Sequence, residues 1–329
     1  VAGGTFSNDG DVSGNHGGSD AWVVKLNSSG NIEWQKCLGG TGWDEAYSIQ
    51  QTSDGGFIVA GYTNSNDGDV SGNHGGFDSW VVKLNSSGNI EWQKCLGGTG
   101  WDEAYSIQQT SDGGFIVAGY TNSNDGDVSG NHGGFDSWVV KLNSSGNIEW
   151  QKCLGGTAHD YTYSIQQTSD GGFIVGGETL SNDGDVSGNH GEFDAWVVKL
   201  NSSGNIEWQK CLGGTGWDWE NSIQQTSDGG FIVAGYTNSN DGDVSGNHGS
   251  KDYWVVKLNS SGTIEWQKCL GGTGWDEAYS IQQTSDGGFI VAGYTNSNDG
   301  DVSGNHGSKD YWVVKLTNEP DRINEIENY

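Results

Sequence analysis

Apolar residues fall in short runs that return every 58 residues. In residues 41–98, Ser48-Ile-Gln-Gln-Thr52 alternates weakly and is mostly polar. The tight turn Ser53-Asp-Gly-Gly56 follows, where glycine supplies the positive φ that a hairpin needs. Phe57-Ile-Val-Ala-Gly-Tyr-Thr63 is nearly all apolar, as a strand buried on both faces would be. After a long polar loop come Trp80-Val-Val-Lys-Leu84, the turn Asn85-Ser-Ser-Gly-Asn89 and Ile90-Glu-Trp-Gln-Lys-Cys-Leu96. These are four strands, here A to D, separated by turn chemistry.

Four short antiparallel strands repeated along a chain predict a β-propeller. One such sheet cannot bury both faces, so neighbouring sheets must pack together, with Trp80 and Trp92 as wedges. A solenoid fits less well: its repeats are shorter and need no pair of Gly-rich hairpins. The expected fold is all-β: four-stranded antiparallel blades in six repeats, the first and last incomplete. Blade boundaries fall near residues 1–40, 41–98, 99–156, 157–214, 215–272 and 273–316. Residues 317–329 leave the repeat as a tail or linker, and their 322–329 part is a candidate outer strand.

The loop between strands B and C carries the candidate chemistry. Each copy reads D-x-D-x-S-G-N and ends on Asp at the twelfth position, the ligand order of an EF-hand-type calcium loop. Hard cations need several oxygens from one short segment, and a glycine at the sixth position permits the bend. The first copy supplies Asp9, Asp11, Ser13, Asn15 and Asp20; the second Asp67, Asp69, Ser71, Asn73 and Asp78. The third has Asp125, Asp127, Ser129, Asn131 and Asp136; the fourth Asp183, Asp185, Ser187, Asn189 and Asp194. The last two have Asp241, Asp243, Ser245, Asn247, Asp252 and Asp299, Asp301, Ser303, Asn305, Asp310. No helix signals flank the loop, so the expectation is a Ca2+ loop joining two strands. A plain Gly/Asp turn is the alternative.

The run Asp20-Ala-Trp-Val-Val-Lys-Leu, with Leu38-Gly-Gly40 and Asp54-Gly-Gly-Phe-Ile-Val-Ala-Gly-Tyr-Thr63, resembles the bacterial seven-bladed β-propeller repeat family. The likeness spans nearly all of the chain before residue 317. It implies a secreted or cell-surface protein, often joined to adhesion-type domains, and no catalytic residues. Six copies rather than seven, and a longer, more acidic loop, depart from that pattern.

Charge narrows the partners. A net charge of −29 with only 14 basic residues argues against nucleic acid and anionic membrane surfaces. No apolar run approaches membrane-spanning length. The chain opens at the equivalent of Val59 and has no Met, so a processed or truncated piece is expected. Cys37, Cys95, Cys153, Cys211 and Cys269 recur once per repeat and are expected as free, structural thiols, since equivalent points on separate blades lie beyond disulfide reach. The Asn-Ser-Ser sequons at Asn27, Asn85, Asn143, Asn201 and Asn259 fall at hairpin tips.

In a propeller blade the B–C and D–A loops emerge on one face, which is the candidate binding surface. The copies differ chiefly there: at Ser19, Phe77, Phe135, Phe193, Lys251 and Lys309, and in the D–A loops. Those loops present Trp43-Asp44, Trp101-Asp102, His159-Asp160, Trp217-Asp218 and Trp275-Asp276. Exposed Trp beside Asp suits sugar recognition; packing beneath the acidic loop is the structural alternative. No nucleophile–base pair is evident, so no enzymatic activity is expected. The reading is an extracellular or cell-surface, calcium-stabilised binding or adhesion module with a protein or glycan ligand. A self-assembling surface filament or layer subunit and a lectin are the alternatives.

Overall fold

The computed structural model describes residues 1–317, all strand and loop. The suggested outer strand at 322–329 lies outside the described residues. The chain divides into two compact units, Val1–Gly155 and Gly156–Tyr329.

The first unit opens with a three-stranded antiparallel sheet of β1 (Ala2–Thr5), β2 (Asp20–Leu26) and β3 (Ile32–Leu38). Two four-stranded blades follow: β4 (Asp44–Gln51), β5 (Phe57–Thr63), β6 (Asp78–Leu84) and β7 (Ile90–Leu96), then β8 (Asp102–Gln109), β9 (Phe115–Thr121), β10 (Asp136–Leu142) and β11 (Ile148–Leu154). The second unit holds β12 (Asp160–Gln167), β13 (Phe173–Thr179), β14 (Asp194–Leu200) and β15 (Ile206–Leu212) as one blade. Its second blade is β16 (Asp218–Gln225), β17 (Phe231–Thr237), β18 (Asp252–Leu258) and β19 (Ile264–Leu270). Strands β20 (Asp276–Gln283), β21 (Phe289–Thr295) and β22 (Asp310–Leu316) form its last, three-stranded sheet. Sequential antiparallel pairing in repeated four-stranded blades is the β-propeller arrangement, and among the described residues the first and last sheets have three strands.

Strand A is longer than its polar signature suggests. In β4 it begins at Asp44, and its register against β5 shifts between Ala46 and Ser48, leaving Tyr47 as a bulge. A bulge inserts one unpaired residue and re-aims its neighbours. It breaks the period-2 pattern, which hid the first half of the strand. The polar second half has its own use. Gln50 Oε1 accepts from Gln109 N at 2.6 Å and Ser48 Oγ from Ile107 N at 3.2 Å, so side chains stitch adjacent A strands together.

The core lies between sheets. Ile58 and Ala60 of β5 pack with Ala104, Ile107 and Phe115 of the next blade. Each fully buried aliphatic side chain contributes about 2 kcal/mol. Trp80 is buried, with its indole N–H donating to Gln93 Oε1 at 2.9 Å. Trp92 is the interblade wedge, edge-on to Phe115 at 5.7 Å; Trp34 and Phe57 repeat the contact at 5.5 Å. Trp34 also lies on the next blade's C–D turn. A Cβ on Gly88 would meet its ring at 2.9 Å, and the residue's φ of 77° excludes most side chains in any case.

Candidate functional site

The B–C loop of the second repeat docks onto the Gly-rich D–A loop. Asp67 accepts from the Thr41 N–H at 2.8 Å and the Thr41 hydroxyl at 2.9 Å. Asp125, Asp183, Asp241 and Asp299 treat Thr99, Thr157, Thr215 and Thr273 identically. These bonds hold the Asp67 carboxyl below its ordinary range. The main chain of Asp69 donates to Gly39 O at 2.9 Å, and its carboxylate faces the Gly39 N–H. The acidic loop thus supplies acceptors for the Thr41 and Gly39 N–H groups of the D–A segment.

The remaining members point elsewhere. Ser71 Oγ accepts from Gln93 Nε2 at 2.8 Å. Asn73 closes the loop on itself, donating to Thr63 O and Gly76 O and accepting from Gly75 N. Asp78 is buried and receives His74 N at 3.1 Å, with His74 Nδ1 at 2.6 Å from its Oδ2. The same His–Asp pairing recurs at His16–Asp20, His132–Asp136, His190–Asp194, His248–Asp252 and His306–Asp310.

The five oxygens that a twelve-position calcium loop would gather are therefore spread over five different partners. Among the described residues no group of three or more His, Cys, Asp or Glu side chains is arranged to hold a metal ion. In the second copy the side chains read from sequence as Ca2+ ligands thus engage protein groups; Asp9, Asp11, Ser13, Asn15 and Asp20 hold the equivalent places in the first copy. Asp, Ser and Asn at alternate positions also serve as turn and loop hydrogen-bonders, and these contacts use them so.

Electrostatics at the His–Asp pair are coupled. Burial pushes Asp78 up to about 6, against the lowering bonds from His74. Burial alone would lower His74, but its bond to Asp78 and the charges of Asp78, Asp127 and Asp102 raise it.

The Trp-Asp pairs separate in space. Asp44, Asp102, Asp160, Asp218 and Asp276 are fully buried. Asp102 accepts from Gly98 N at 2.8 Å and Ser123 Oγ at 2.8 Å, and also from Thr121 Oγ1. These carboxylates brace the loop from below and are closed to a ligand's hydroxyls. The indoles remain outside. Trp43, Trp101, Trp217 and Trp275 are 50%, 51%, 44% and 48% exposed. Each is fixed through its main chain: Asn64 Oδ1 accepts from Trp43 N at 2.6 Å, and Asn64 N donates back to Trp43 O at 3.0 Å. Trp101, Trp217 and Trp275 have Asn122, Asn238 and Asn296 in that role. His159, the exception in sequence, is exposed and stacks beside Tyr161 at 6.0 Å.

The variable position at the end of the acidic loop meets the following Trp. Phe193 is edge-on to Trp217 at 6.4 Å, and Lys251 Nζ lies 5.1 Å from the Trp275 ring. Sequence reading found both variable spots but not their contact, because they are about 25 residues apart and belong to successive blades. It placed Glu178 near His159, Asp160, Tyr161 and Tyr163 but did not connect it with Glu220, a buried glutamate of the following blade. The signal for that pair was the departure of Phe173-Ile-Val-Gly-Gly-Glu-Thr179 and Asp218-Trp-Glu-Asn221 from the other copies.

No family model matches the chain, and no curated protein matches it. Solved structures similar to it are β-propellers. The WD40 domain of Neurospora crassa Pan2 is 11% identical, with 83% of this chain and 68% of that one covered and a TM-score of 0.47. A neuraminidase-like protein of A/flat-faced bat/Peru is 14% identical, over 92% and 78%, with a TM-score of 0.47. Sqt1 from Chaetomium thermophilum is 11% identical with a TM-score of 0.45; 84% of this chain is covered but only 62% of that one.

Proposed function

We propose that this β-propeller is an extracellular or cell-surface binding module that engages a protein or glycan surface through its long-loop face. The observation that carries this reading is the set of half-exposed indoles, Trp43, Trp101, Trp217 and Trp275, each clamped by an Asn side chain. Large aromatic rings are ordinarily kept out of water. Rings already fixed in place lose little freedom on binding and offer flat apolar area with a polar N–H at the edge. The residue packed beside the ring is Phe at Trp101 and Trp217 but Lys251 at Trp275, so the platforms differ in their surroundings on a constant frame.

The strong acidity and the propeller-repeat resemblance support the extracellular assignment. Among ligands, the exposed indoles suit stacking on sugar rings or apolar protein side chains. The test is a quadruple variant with Trp43, Trp101, Trp217 and Trp275 changed to Ala, compared with the parent on a glycan array and on whole cells. Loss of surface binding with unchanged circular dichroism supports the reading. Undiminished binding by a folded quadruple variant sinks it.

A further inference from the structure

One interblade contact in the second unit breaks the repeat. In four other copies strand B carries Ala and Tyr at two positions of one face: Ala60 and Tyr62, Ala118 and Tyr120, Ala234 and Tyr236, Ala292 and Tyr294; the first copy has Ala2 and Gly4. In β13 these positions are Gly176 and Glu178. Strand A of the following blade carries Ala46, Ala104 or Ala278 in three copies and Thr162 in one, but Glu220 in β16. The changes interlock. A Cβ on Gly176 would lie 2.5 Å from both Cδ and Oε2 of Glu220, so the carboxyl occupies space that the alanine vacates. Residues two apart on a strand share a face, so Glu178 stands beside Gly176 toward the same neighbour.

The two carboxyls are sealed and under-satisfied. Glu178 and Glu220 are 1% and 0% exposed. Tyr163 donates to Glu178 Oε1 at 2.9 Å. Glu178 Oε2 and both oxygens of Glu220 have no hydrogen-bond partner. Unpaired buried polar atoms cost stability, and two like charges side by side cost more. The other two copies in the second unit keep Ala and Tyr here; this contact instead sets Gly176 against Glu220 and buries three unmatched oxygens.

We propose that Glu178 and Glu220 form a cation site that takes one hard divalent ion of the calcium class. Carboxylate oxygens are the ligands such ions prefer, and a charge of +2 neutralises the pair. Burial pushes Glu178 up to about 9, and burial with the Glu178 charge pushes Glu220 well above its ordinary range. Protons therefore compete with the ion, and binding releases them. This site is separate from the acidic loops and from the indole platforms.

The test is calorimetric titration with calcium at pH 8, with thermal melts alongside, on the parent chain and two variants. E178Q/E220Q keeps shape and removes charge; G176A/E178Y/E220A restores the contact used by the other repeats. The parent should bind one more ion than either variant, with uptake accompanied by proton release. At a hundredfold excess over Kd its midpoint should rise about 5 °C more than theirs. Equal stoichiometry in parent and variants overturns the proposal. So does a parent that binds no calcium and whose stability responds to pH alone. Should one variant fail to fold, the other decides, and the parent's own titration stands without either.

Discussion

The ring of Trp101 stands edge-on to Phe77, 5.5 Å away and at 88°, although the two belong to successive blades. Phe77 ends the acidic loop of one repeat, and its carbonyl accepts from Asp102 N, next to Trp101, at 2.7 Å. The variable residue thus reaches the indole by both main chain and side chain. Changing Phe77 to Ser, the residue of the first copy, should cost about 1 kcal/mol, the worth of one edge-to-face pair. It should also red-shift part of the tryptophan emission. Unchanged emission and stability together would show that the contact is idle.

Asp102 braces the D–A loop from within. Asp102→Ala would leave Gly98 N, Thr121 Oγ1 and Ser123 Oγ without their acceptor in a buried place. A loss of about 3 kcal/mol is expected, read as a drop in the urea midpoint at constant m-value. A loss below 1 kcal/mol would mean that water replaces the carboxylate freely.

The pairs His74–Asp78 and His190–Asp194 give the fold a pH response of defined sign. Asp78, up to about 6 when folded, and His74, also raised, both hold protons more firmly folded than unfolded. The Asp78 contribution is full below its unfolded value near 4 and lost as pH passes about 6; that of His74 is full below about 6.5 and lost above its folded value. The pair titrates as a unit, so the two steps merge. Urea midpoints should fall from pH 5 to pH 8, and an Asp78→Asn, Asp194→Asn variant, which removes both the raised carboxyls and what raises the histidines, should show a shallower fall. An equal slope in parent and variant would remove the pairs from the account.

The cysteines should be silent. Burial, with the charges of Asp78 and Asp44, pushes the Cys95 thiol up to about 12; Cys153 and Cys211 are alike. Thiolate is the reactive form, so alkylation of the native protein at pH 8 should run at least tenfold slower than in denaturant. Comparable rates would place these thiols at the surface.

How much of this was readable from residues alone depends on what each residue answers to. Strands B, C and D were legible because Phe57–Thr63 and its partners are apolar runs between turns that only Asn, Asp and Gly make well. Strand A was half legible: Tyr47 bulges out, so its first half loses the alternation that betrays a strand. The acidic loop was legible as a loop, but not the contacts its side chains make with the protein. Asp67 answers to Thr41, a residue 26 positions upstream that no local pattern connects to it. The platforms were found as Trp-Asp pairs, but alternation along the strand sends Asp44 inward and leaves Trp43 outside.

Near-copied repeats carry a hazard of their own. Surfaces this similar allow one sheet to nest against the wrong neighbour while the chain is still searching. Gly176 facing Glu220 works against that error: the strand bearing Glu220 meets a methyl group wherever alanine holds the Gly176 position, and only one slot in the second unit accepts it. A single missing carbon thus gives one interface of the second unit a partner of its own.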